Sequence, residues 1–418
     1  MACACLTVCW LAGCGGENQD NRTVKNSYAG AMSMEGTPIV DYTVPQLFPN
    51  IMVDRHAYSV GDEKAAAVKG SHLPKEFRLK DAVTGETVYG DELTDIVYNE
   101  ELDLYIGCAD FTEFDKEGTY YLECDIVGRS YTFDIEKDLY RKLFDTLCGE
   151  LLEDCRDRRL TVAEAMTFLE AYEWYGGLFP DADDSGVPDV LEALKTWAAY
   201  MEEKNTEVQR EALYAAFLAK FGYLYQKYDR QYATDCLKRA STVLGLAQNA
   251  VGSDADSFFA LTELYRATGM SAYGNQILDY KTFFQNNSSY MEERSYLYGS
   301  MTYLSTRQKV DVELCTTFMN AVMARGEEIS KRYQDIIHPV TAKNNGSADL
   351  LKQTVELSCA NYVLNNYHYT NIIEEFLHYL MGRNSESADF YETDEDRISY
   401  FLLLAQLAAN HSETAETK

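Results

Sequence analysis

Basic residues are scarce in this sequence: 37 lysines and arginines stand against 67 aspartates and glutamates, which gives a formal net charge of -30. A surface this acidic repels nucleic-acid phosphates and anionic lipid headgroups, so we do not expect a nucleic-acid partner. Neutral glycans bind by aromatic stacking and hydrogen bonding, and the charge does not exclude them. No stretch beyond the N-terminal segment is apolar for long enough to span a bilayer.

Close-spaced cysteine pairs, which are typical of metal sites, are also missing. Four of the 11 cysteines fall in the first 14 residues, and the remaining seven (11 - 4) are scattered between Cys108 and Cys359. We expect these seven to be free thiols in hydrophobic cores. Cys108 and Cys124 fall in neighbouring predicted strands and could pair. Cysteine and histidine spacing predicts no metal site.

The N-terminal segment resembles a lipoprotein signal. Residues 1–14 end in Leu11-Ala12-Gly13-Cys14, which is similar to a bacterial lipobox after an apolar segment. Cys14 would then be the lipidated N-terminus of an exported protein, anchored in the bacterial membrane at the cell surface. The alternative is a chance run of small residues. Residues 15–44, rich in Asn, Gly and Ser, are predicted to be a flexible tether.

Residues 45–137 alternate short β-type runs with turn residues, which predicts a β-sandwich. In one of these turns Gly85 supplies the positive φ that the backbone needs. Seven runs are predicted to be strands: Ile51–Val53, Lys64–Val68, Phe77–Leu79, Thr87–Tyr89, Leu104–Ile106, Thr119–Cys124 and Ser130–Ile135.

From residue 138 to residue 412 the hydrophobic period changes from two to about 3.6, and no further strand is predicted. Thr161-Val162-Ala163-Glu164 is a capping box that opens one helix, and Pro188 suits the first turn of another. We expect about twelve helices, the number that six helical hairpins need to close a ring. Residues 413–418 form a short tail.

Four segments, in this order along the chain, carry a family resemblance: Ile51–Tyr58, Asp184–Leu191, Glu263–Gly269 and Tyr379–Asn384. The first resembles the opening strand of the N-terminal immunoglobulin-like domain of cellulases. The others are similar to the Ser-Gly-Ile-Pro-Asp-Leu-Leu, Glu-Leu-Tyr-x-Ala-Thr-Gly and Tyr-Leu-Leu-Gly-Arg-Asn motifs of glycoside hydrolase family 9. The resemblance implies an immunoglobulin-like β-sandwich followed by an (α/α)6 barrel, and β-glucan-type substrates.

Inverting glycoside hydrolysis needs a carboxylic acid and a carboxylate base about 6.5–9.5 Å apart. The family takes its base from an Asp-Ala-Gly-Asp loop, but here Arg156–Arg159 runs straight into the capping box at Thr161, and that loop is absent. The family's acid is a Glu after an Asn. The resemblance gives this position to Glu395, preceded by Asp394. The alternative for Glu395 is a solvated acidic residue in the first turn of a helix.

Asp181-Ala182-Asp183-Asp184 superficially resembles the missing base loop. Asp181 and Asp184 are therefore candidates for a displaced base. The same carboxylates could bind calcium through their oxygens, and no other cofactor is expected. The alternative is an acidic loop that only caps the helix after it.

Aromatic and basic side chains could bind a sugar. Trp174 and Tyr175 lie near a predicted loop, and Arg383 and Tyr391 lie in the matched C-terminal segments. The family's His-His-Arg sugar-binding segment is missing from the stretch before the candidate acid.

Three functions stay open. Loss of the base loop and of the sugar-binding segment favours a cell-surface relative that binds or organises β-glucan but is impaired in catalysis. An active inverting endoglucanase would use Glu395 with a displaced base across one cleft. A structural or interaction lipoprotein without a sugar ligand would show a filled barrel mouth without exposed stacking aromatics.

Overall fold

The computed structural model of the chain describes residues 24–25, 43–44, 50–100, 102–205, 207–252, 254–333, 347–393 and 396–416. The chain divides into two units, Met1–Pro49 and Asn50–Lys418. In the first unit, strands β1 (Val24–Lys25) and β2 (Thr43–Val44) pair antiparallel. Cys14 and the signal segment lie outside the described residues. Within the part that is described, no helix is long and apolar enough to cross a membrane.

The N-terminal part of the second unit is a β-sandwich, as the sequence predicted. Its described strands are β3 (Ile51–Met52), β4 (Ala57–Ser59), β5 (Ala65–Gly70), β6 (Glu76–Asp81), β7 (Thr87–Glu92), β8 (Thr94–Asn99), β9 (Leu104–Asp110), β10 (Gly118–Cys124), β11 (Gly128–Arg129) and β12 (Phe133–Glu136). One sheet has the order β4-β12-β10-β6-β7, with β11 paired to β10. The other has the order β3-β5-β9-β8. The β4–β12 pair is parallel and the other pairs are antiparallel.

The core of the sandwich lies between the two sheets. Side-chain alternation along β10 buries Tyr120, Leu122 and Cys124, which share a hydrophobic cluster with Val68 of the opposite sheet. Cys108 on β9 and Cys124 on β10 belong to different sheets, and both are free thiols. The disulfide that the sequence left open is therefore not formed.

Helices make up the rest of the second unit. The described ones are α1 (Leu139–Arg156), α2 (Val162–Tyr175), α3 (Asp189–Lys204), α4 (Ala212–Tyr225), α5 (Arg230–Val251), α6 (Ala255–Thr268), α7 (Ser271–Asp279), α8 (Lys281–Asn286), α9 (Arg294–Ser305), α10 (Val312–Arg332), α11 (Ser347–Leu364), α12 (Tyr367–Leu380), α13 (Phe390–Thr393) and α14 (Arg397–Glu416).

These helices form a double ring. The inner ring consists of α2, α4, α6, α9, α11 and α14, and the outer ring of α1, α3, α5, the pair α7 and α8, α10 and α12. Inner helices are enclosed on all sides: every residue from Ser257 to Arg266 in α6 and from Ile398 to Ala408 in α14 is buried. A helix that is buried all round belongs in the interior of a large domain. The predicted (α/α)6 barrel is confirmed.

A group of charged side chains, which we name the lysine cluster, is buried inside the inner ring. Lys220 of α4 is completely buried, and its ammonium pairs with Glu170 (2.9 Å) and Glu173 of α2 and with Glu263 of α6 (3.2 Å). Arg266 of α6 pairs with Glu173 and Glu263. Buried charges are tolerated when they are paired in this way, and the cluster joins three consecutive inner helices.

A polar contact joins the sandwich to the barrel. Asp54, which follows β3, is buried, and its Oδ2 lies 2.8 Å from Nδ1 of His378 on α12. Arg383 is completely buried, pairs with Glu375 of α12 and donates to the carbonyl of Ala65 on β5 at 3.3 Å. The sandwich is thus part of the same packed unit as the barrel.

We expect Lys220→Met to lower the free energy of unfolding by about 3–5 kcal/mol, because it leaves buried carboxylates without their cation. Chemical denaturation followed by circular dichroism measures the change. Lys238→Met is the matched control, since Lys238 is exposed and pairs with Asp235 on the surface of α5. Equal destabilisation by the two substitutions would contradict the structural role of the lysine cluster.

Candidate functional site

The resemblance places the acid and the base at the N-terminal end of the inner ring. Arg397, the first residue of α14, pairs with Asp154 near the end of α1 at 3.2 Å. Only the connection 157–161 separates the end of α1 from the start of α2. The start of α14 therefore lies beside this connection, at the point of the chain where the resemblance would place the base loop.

Arginines neutralise the carboxylates at this corner of the barrel. Arg159 donates to Asp154 at 2.8 Å and to Asp157 at 2.7 Å. Arg397 approaches Asp154 from α14 and also pairs with Glu150. A general base needs a carboxylate that is free to take a proton from water. The carboxylates of Glu150, Asp154 and Asp157 at this corner are thus all paired with arginines.

Glu395, the candidate acid, lies outside the described residues. Before it in the chain, Tyr391 packs edge to face on the ring of His56, with centroids 5.3 Å apart. After it, Asp396 accepts a hydrogen bond from the hydroxyl of Ser399 at 2.7 Å. Tyr391 is half-buried and belongs to the contact between the sandwich and the barrel.

Asp181 and Asp184 lie at the opposite end of α2. They follow its last residue, Tyr175, whereas the α1–α2 connection precedes its first residue, Val162. A helix of 14 residues is about 21 Å long at roughly 1.5 Å per residue. The carboxyls of an inverting pair lie about 6.5–9.5 Å apart. The candidate acid lies outside the described residues, so a displaced base at Asp181 or Asp184 stays a prediction.

The loop that contains Asp181 has the residue pattern of a calcium-binding loop of the EF-hand type. Such loops take oxygen ligands from about six positions, 1, 3, 5, 7, 9 and 12, and have glycine at position 6. Gly186 holds position 6 with the required positive φ of 84°. The ligand positions are held by Asp181, Asp183, Ser185, the carbonyl of Val187, Asp189 and Glu192.

The oxygens of this loop converge in the structure. Carboxylate oxygens of Asp181, Asp183 and Asp189 lie within 4.8 Å of one another. The hydroxyl of Ser185 lies 3.1 Å from a carboxylate oxygen of Glu192 on α3. Hard oxygen ligands in this number suit Ca²⁺, so these residues could hold the calcium that the sequence left open.

A pocket of about 220 Å³ opens at the C-terminal end of the inner ring. It is formed by the last turns of α2, α6, α9 and α11, with one side chain from α10. Glu173 and Arg266 of the lysine cluster reach into it. Its further lining residues are Glu170, Trp174, Met301, Thr302, Leu304, Ser305, Met319, Tyr362 and Val363.

Three aromatic side chains meet at the mouth of this pocket. The rings of Trp174 and Tyr362 are stacked, with centroids 4.7 Å apart and an interplanar angle of 18°. Tyr175 meets Tyr362 edge to face at 5.9 Å. Tyr362 is 41% exposed.

Of the four sugar-binding residues predicted from the sequence, Trp174 lines the pocket and Tyr175 packs against its aromatic rings. Arg383 is buried in the contact with the sandwich, where it is not exposed to a ligand.

The two glutamates of α2 differ in protonation. Burial raises the pKa of Glu170 to about 8, and the nearby Lys220 offsets only part of this effect. Burial acts on Glu173 too, but Lys220 and Arg266 together lower its pKa to about 2. At neutral pH Glu170 therefore carries a proton. The carboxylates of Glu173 and Glu263 then balance the two cations of the lysine cluster, Lys220 and Arg266.

Sequence reasoning missed Glu170, Glu173, Arg266 and Tyr362 as pocket residues. One signal was readable: Lys220 interrupts an otherwise apolar helix, and a lone charge inside such a helix requires partners from neighbouring helices. The calcium pattern was readable too, since it depends only on residue types at fixed spacing. The helix ends that surround the pocket come together only when the ring of helices closes. The sequence near each helix carries no local pattern that would predict this.

We expect Ca²⁺ to stabilise the chain through the loop Asp181–Glu192. Extracellular calcium modules typically have dissociation constants of about 0.1–1 mM. Free Ca²⁺ at ten to a hundred times that constant would raise the free energy of unfolding by roughly 1.4–2.7 kcal/mol. Differential scanning calorimetry with Ca²⁺ and then with a chelator measures the gain. Glu192→Gln should remove it, whereas Glu203→Gln on the same helix should keep it. A gain that survives Glu192→Gln would place the ion elsewhere.

The protonated state of Glu170 predicts a pH dependence of stability. Because its pKa is raised in the fold, its contribution is fully present below about pH 4.5 and is lost as the pH rises towards 8. We expect the melting temperature to fall between about pH 5 and pH 8, and the fall to be smaller in Glu170→Gln. Thermal melts across this range, with Glu203→Gln as the control, measure it. Identical slopes in all three proteins would contradict a buried, protonated Glu170.

Comparison with known proteins gives the fold a family context. Residues 47–129 match the model of the cellulase N-terminal ig-like domain. A metagenome-derived glycoside hydrolase family 9 endoglucanase superposes with a TM-score of 0.70 at 15% identity, over 86% of this chain and 98% of that one. A family 9 protein of Bacteroides ovatus superposes with a TM-score of 0.66 at 13% identity, over 88% of this chain and 99% of that one.

A third solved structure, a complex with a cellobiose-like isofagomine, gives a TM-score of 0.64 at 13% identity, over 81% of this chain and 83% of that one. No curated protein sequence matches the chain. These findings confirm the resemblance drawn from the sequence. The chain carries the cellulase N-terminal immunoglobulin-like domain and has the two-domain fold of glycoside hydrolase family 9.

Proposed function

We propose that this chain binds β-glucan-type polysaccharide at the cell surface and does not hydrolyse it. The observation that carries the proposal is the α1–α2 connection, residues 157–161, which replaces the family's base loop. Its neighbouring carboxylates, Asp154 and Asp157, are both paired with Arg159. When the described carboxylates beside this connection are held by an arginine, an acid alone does not complete the inverting reaction.

The ligand class is supported by the fold and by the charge. A structure with this fold holds a cellobiose-like isofagomine, and a neutral sugar chain is not repelled by a protein of net charge -30. Two aromatic rings at the mouth of the barrel pocket, the half-buried Trp174 and the exposed Tyr362, offer surfaces for stacking. Fold likeness by itself does not decide activity, so the proposal depends on these side chains.

The cellular location is part of the proposal. The Leu11-Ala12-Gly13-Cys14 sequence supports lipidation at Cys14 after export, and residues 15–44 would tether the sandwich to the membrane. A lipid anchor together with a glycan-binding barrel would hold polysaccharide at the cell surface.

Two assays on the full chain separate binding from hydrolysis. We expect no release of reducing sugar from a panel of soluble β-glucans, together with retarded migration of the chain in gels that contain the same glucans. Glu395→Gln should leave the retardation unchanged, because it alters the candidate acid without removing a large contact surface. Release that this substitution abolishes would make the chain an active hydrolase. Neither release nor retardation would favour an interaction lipoprotein without a sugar ligand.

A further inference from the structure

We propose that the pocket at the C-terminal end of the inner ring is a saccharide-binding site, separate from the N-terminal end where the family resemblance places catalysis. The inference rests on the proposed function, because it takes the ligand to be a glycan. The pocket gives the glycan a defined binding location and a defined set of contacting residues. The two ends are separated by the length of α2, about 21 Å by its rise per residue.

The shape of the pocket favours one sugar ring. Its volume is about 220 Å³, below the roughly 300–1,000 Å³ of pockets for drug-sized ligands. A shallow groove of about 640 Å³ begins at the next residues of the chain and is lined by Asn365, Asn366 and Tyr369, among others. A sugar in the pocket could therefore belong to an oligosaccharide whose further rings lie across the groove.

The aromatic side chains supply the stacking surface. Trp174 and Tyr362 lie parallel, and Tyr362 remains 41% exposed at the pocket mouth. Pyranose rings have an apolar face of C–H groups that packs on such rings. Tyr175 packs edge to face against Tyr362 from the side. A preformed aromatic platform costs little conformational entropy when a ligand binds.

The polar side chains suit neighbouring sugar hydroxyls. Glu173 and Arg266 pair with each other and both line the pocket. They present a carboxylate acceptor beside guanidinium donors, and each sugar hydroxyl can both donate and accept. Thr302 and Ser305, near the end of α9, add hydroxyls to the lining. Pockets with apolar walls and a few fixed polar groups orient small ligands in this manner.

The charge of the site favours a neutral ligand. Lys220 and Arg266 offset Glu173 and Glu263 within the lysine cluster, and burial keeps a proton on Glu170. A phosphorylated or carboxylated ligand would find no unbalanced cation here. The overall negative charge of the chain would repel such an anion further.

Tryptophan fluorescence tests the site directly, because the chain has only three tryptophans, Trp10, Trp174 and Trp197. Trp197 is buried in the barrel core and donates to the carbonyl of Leu160. The full chain with Trp10→Phe and Trp197→Phe reports on Trp174 alone. We expect saturable changes in its emission on titration with cellohexaose or laminarihexaose.

Tyr362→Ala in the native background provides a test that does not require Trp197 to be replaced. We expect it to weaken binding of the same hexaoses, measured by isothermal titration calorimetry, about tenfold or more. Tyr105→Ala is the matched control, since Tyr105 is 42% exposed on the sandwich, against 41% for Tyr362. It should bind as the unaltered chain does.

The outcomes separate the inference from the proposed function. Hexaose binding that is weakened by Tyr362→Ala but not by Tyr105→Ala, with a response of Trp174, supports the site. Full binding by Tyr362→Ala with a silent Trp174 overturns the site and leaves glycan binding intact, at another surface. No binding by the unaltered chain to either hexaose or to the glucan gels overturns both.

Discussion

One buried ammonium group holds the centre of the barrel together. Lys220 lies inside a ring of apolar helices, where an unpaired charge costs several kcal/mol, and its partners come from α2 and α6. Thr302 of α9 donates a hydrogen bond to Glu263 and extends the network to a fourth inner helix. The packing of these helices is therefore fixed by electrostatics as well as by hydrophobic burial. The same network forms the floor of the pocket, so the structural core and the candidate binding site share residues.

The two ends of the inner ring present different side chains to a ligand. At the N-terminal end, the arginines Arg159 and Arg397 cover the carboxylates beside the α1–α2 connection. At the C-terminal end, a carboxylate and a guanidinium remain at the wall of an open pocket, next to stacked aromatic rings. A shared fold with family 9 enzymes is compatible with both arrangements, because function is decided by the side chains at each end.

Much of the fold could be predicted from local sequence signals, and much of the site could not. The capping box of Thr161 and Glu164 is confirmed, since each side chain bonds the other's backbone. Strand β8 was missed because Ile96, Val97 and Tyr98 are all exposed, so no alternation marks it. Arg383 lies in the family motif Tyr379–Asn384, yet it is buried against the sandwich and makes a structural contact there. Its environment depends on β5, more than 300 residues earlier in the chain (383 - 65 = 318). This contact is set by the packing of the sandwich against the barrel and leaves no trace in the residues around Arg383.

The central claim is that this chain binds a glucan chain and returns it uncut. Proton NMR of cellohexaose during prolonged incubation with the full chain tests this claim most directly, because one spectrum reports both events. Binding broadens the resonances of the oligosaccharide, and inverting hydrolysis of a β-linkage releases new α-anomers. The account predicts broadening without new anomeric signals. The appearance of α-anomeric products that Glu395→Gln abolishes would contradict it.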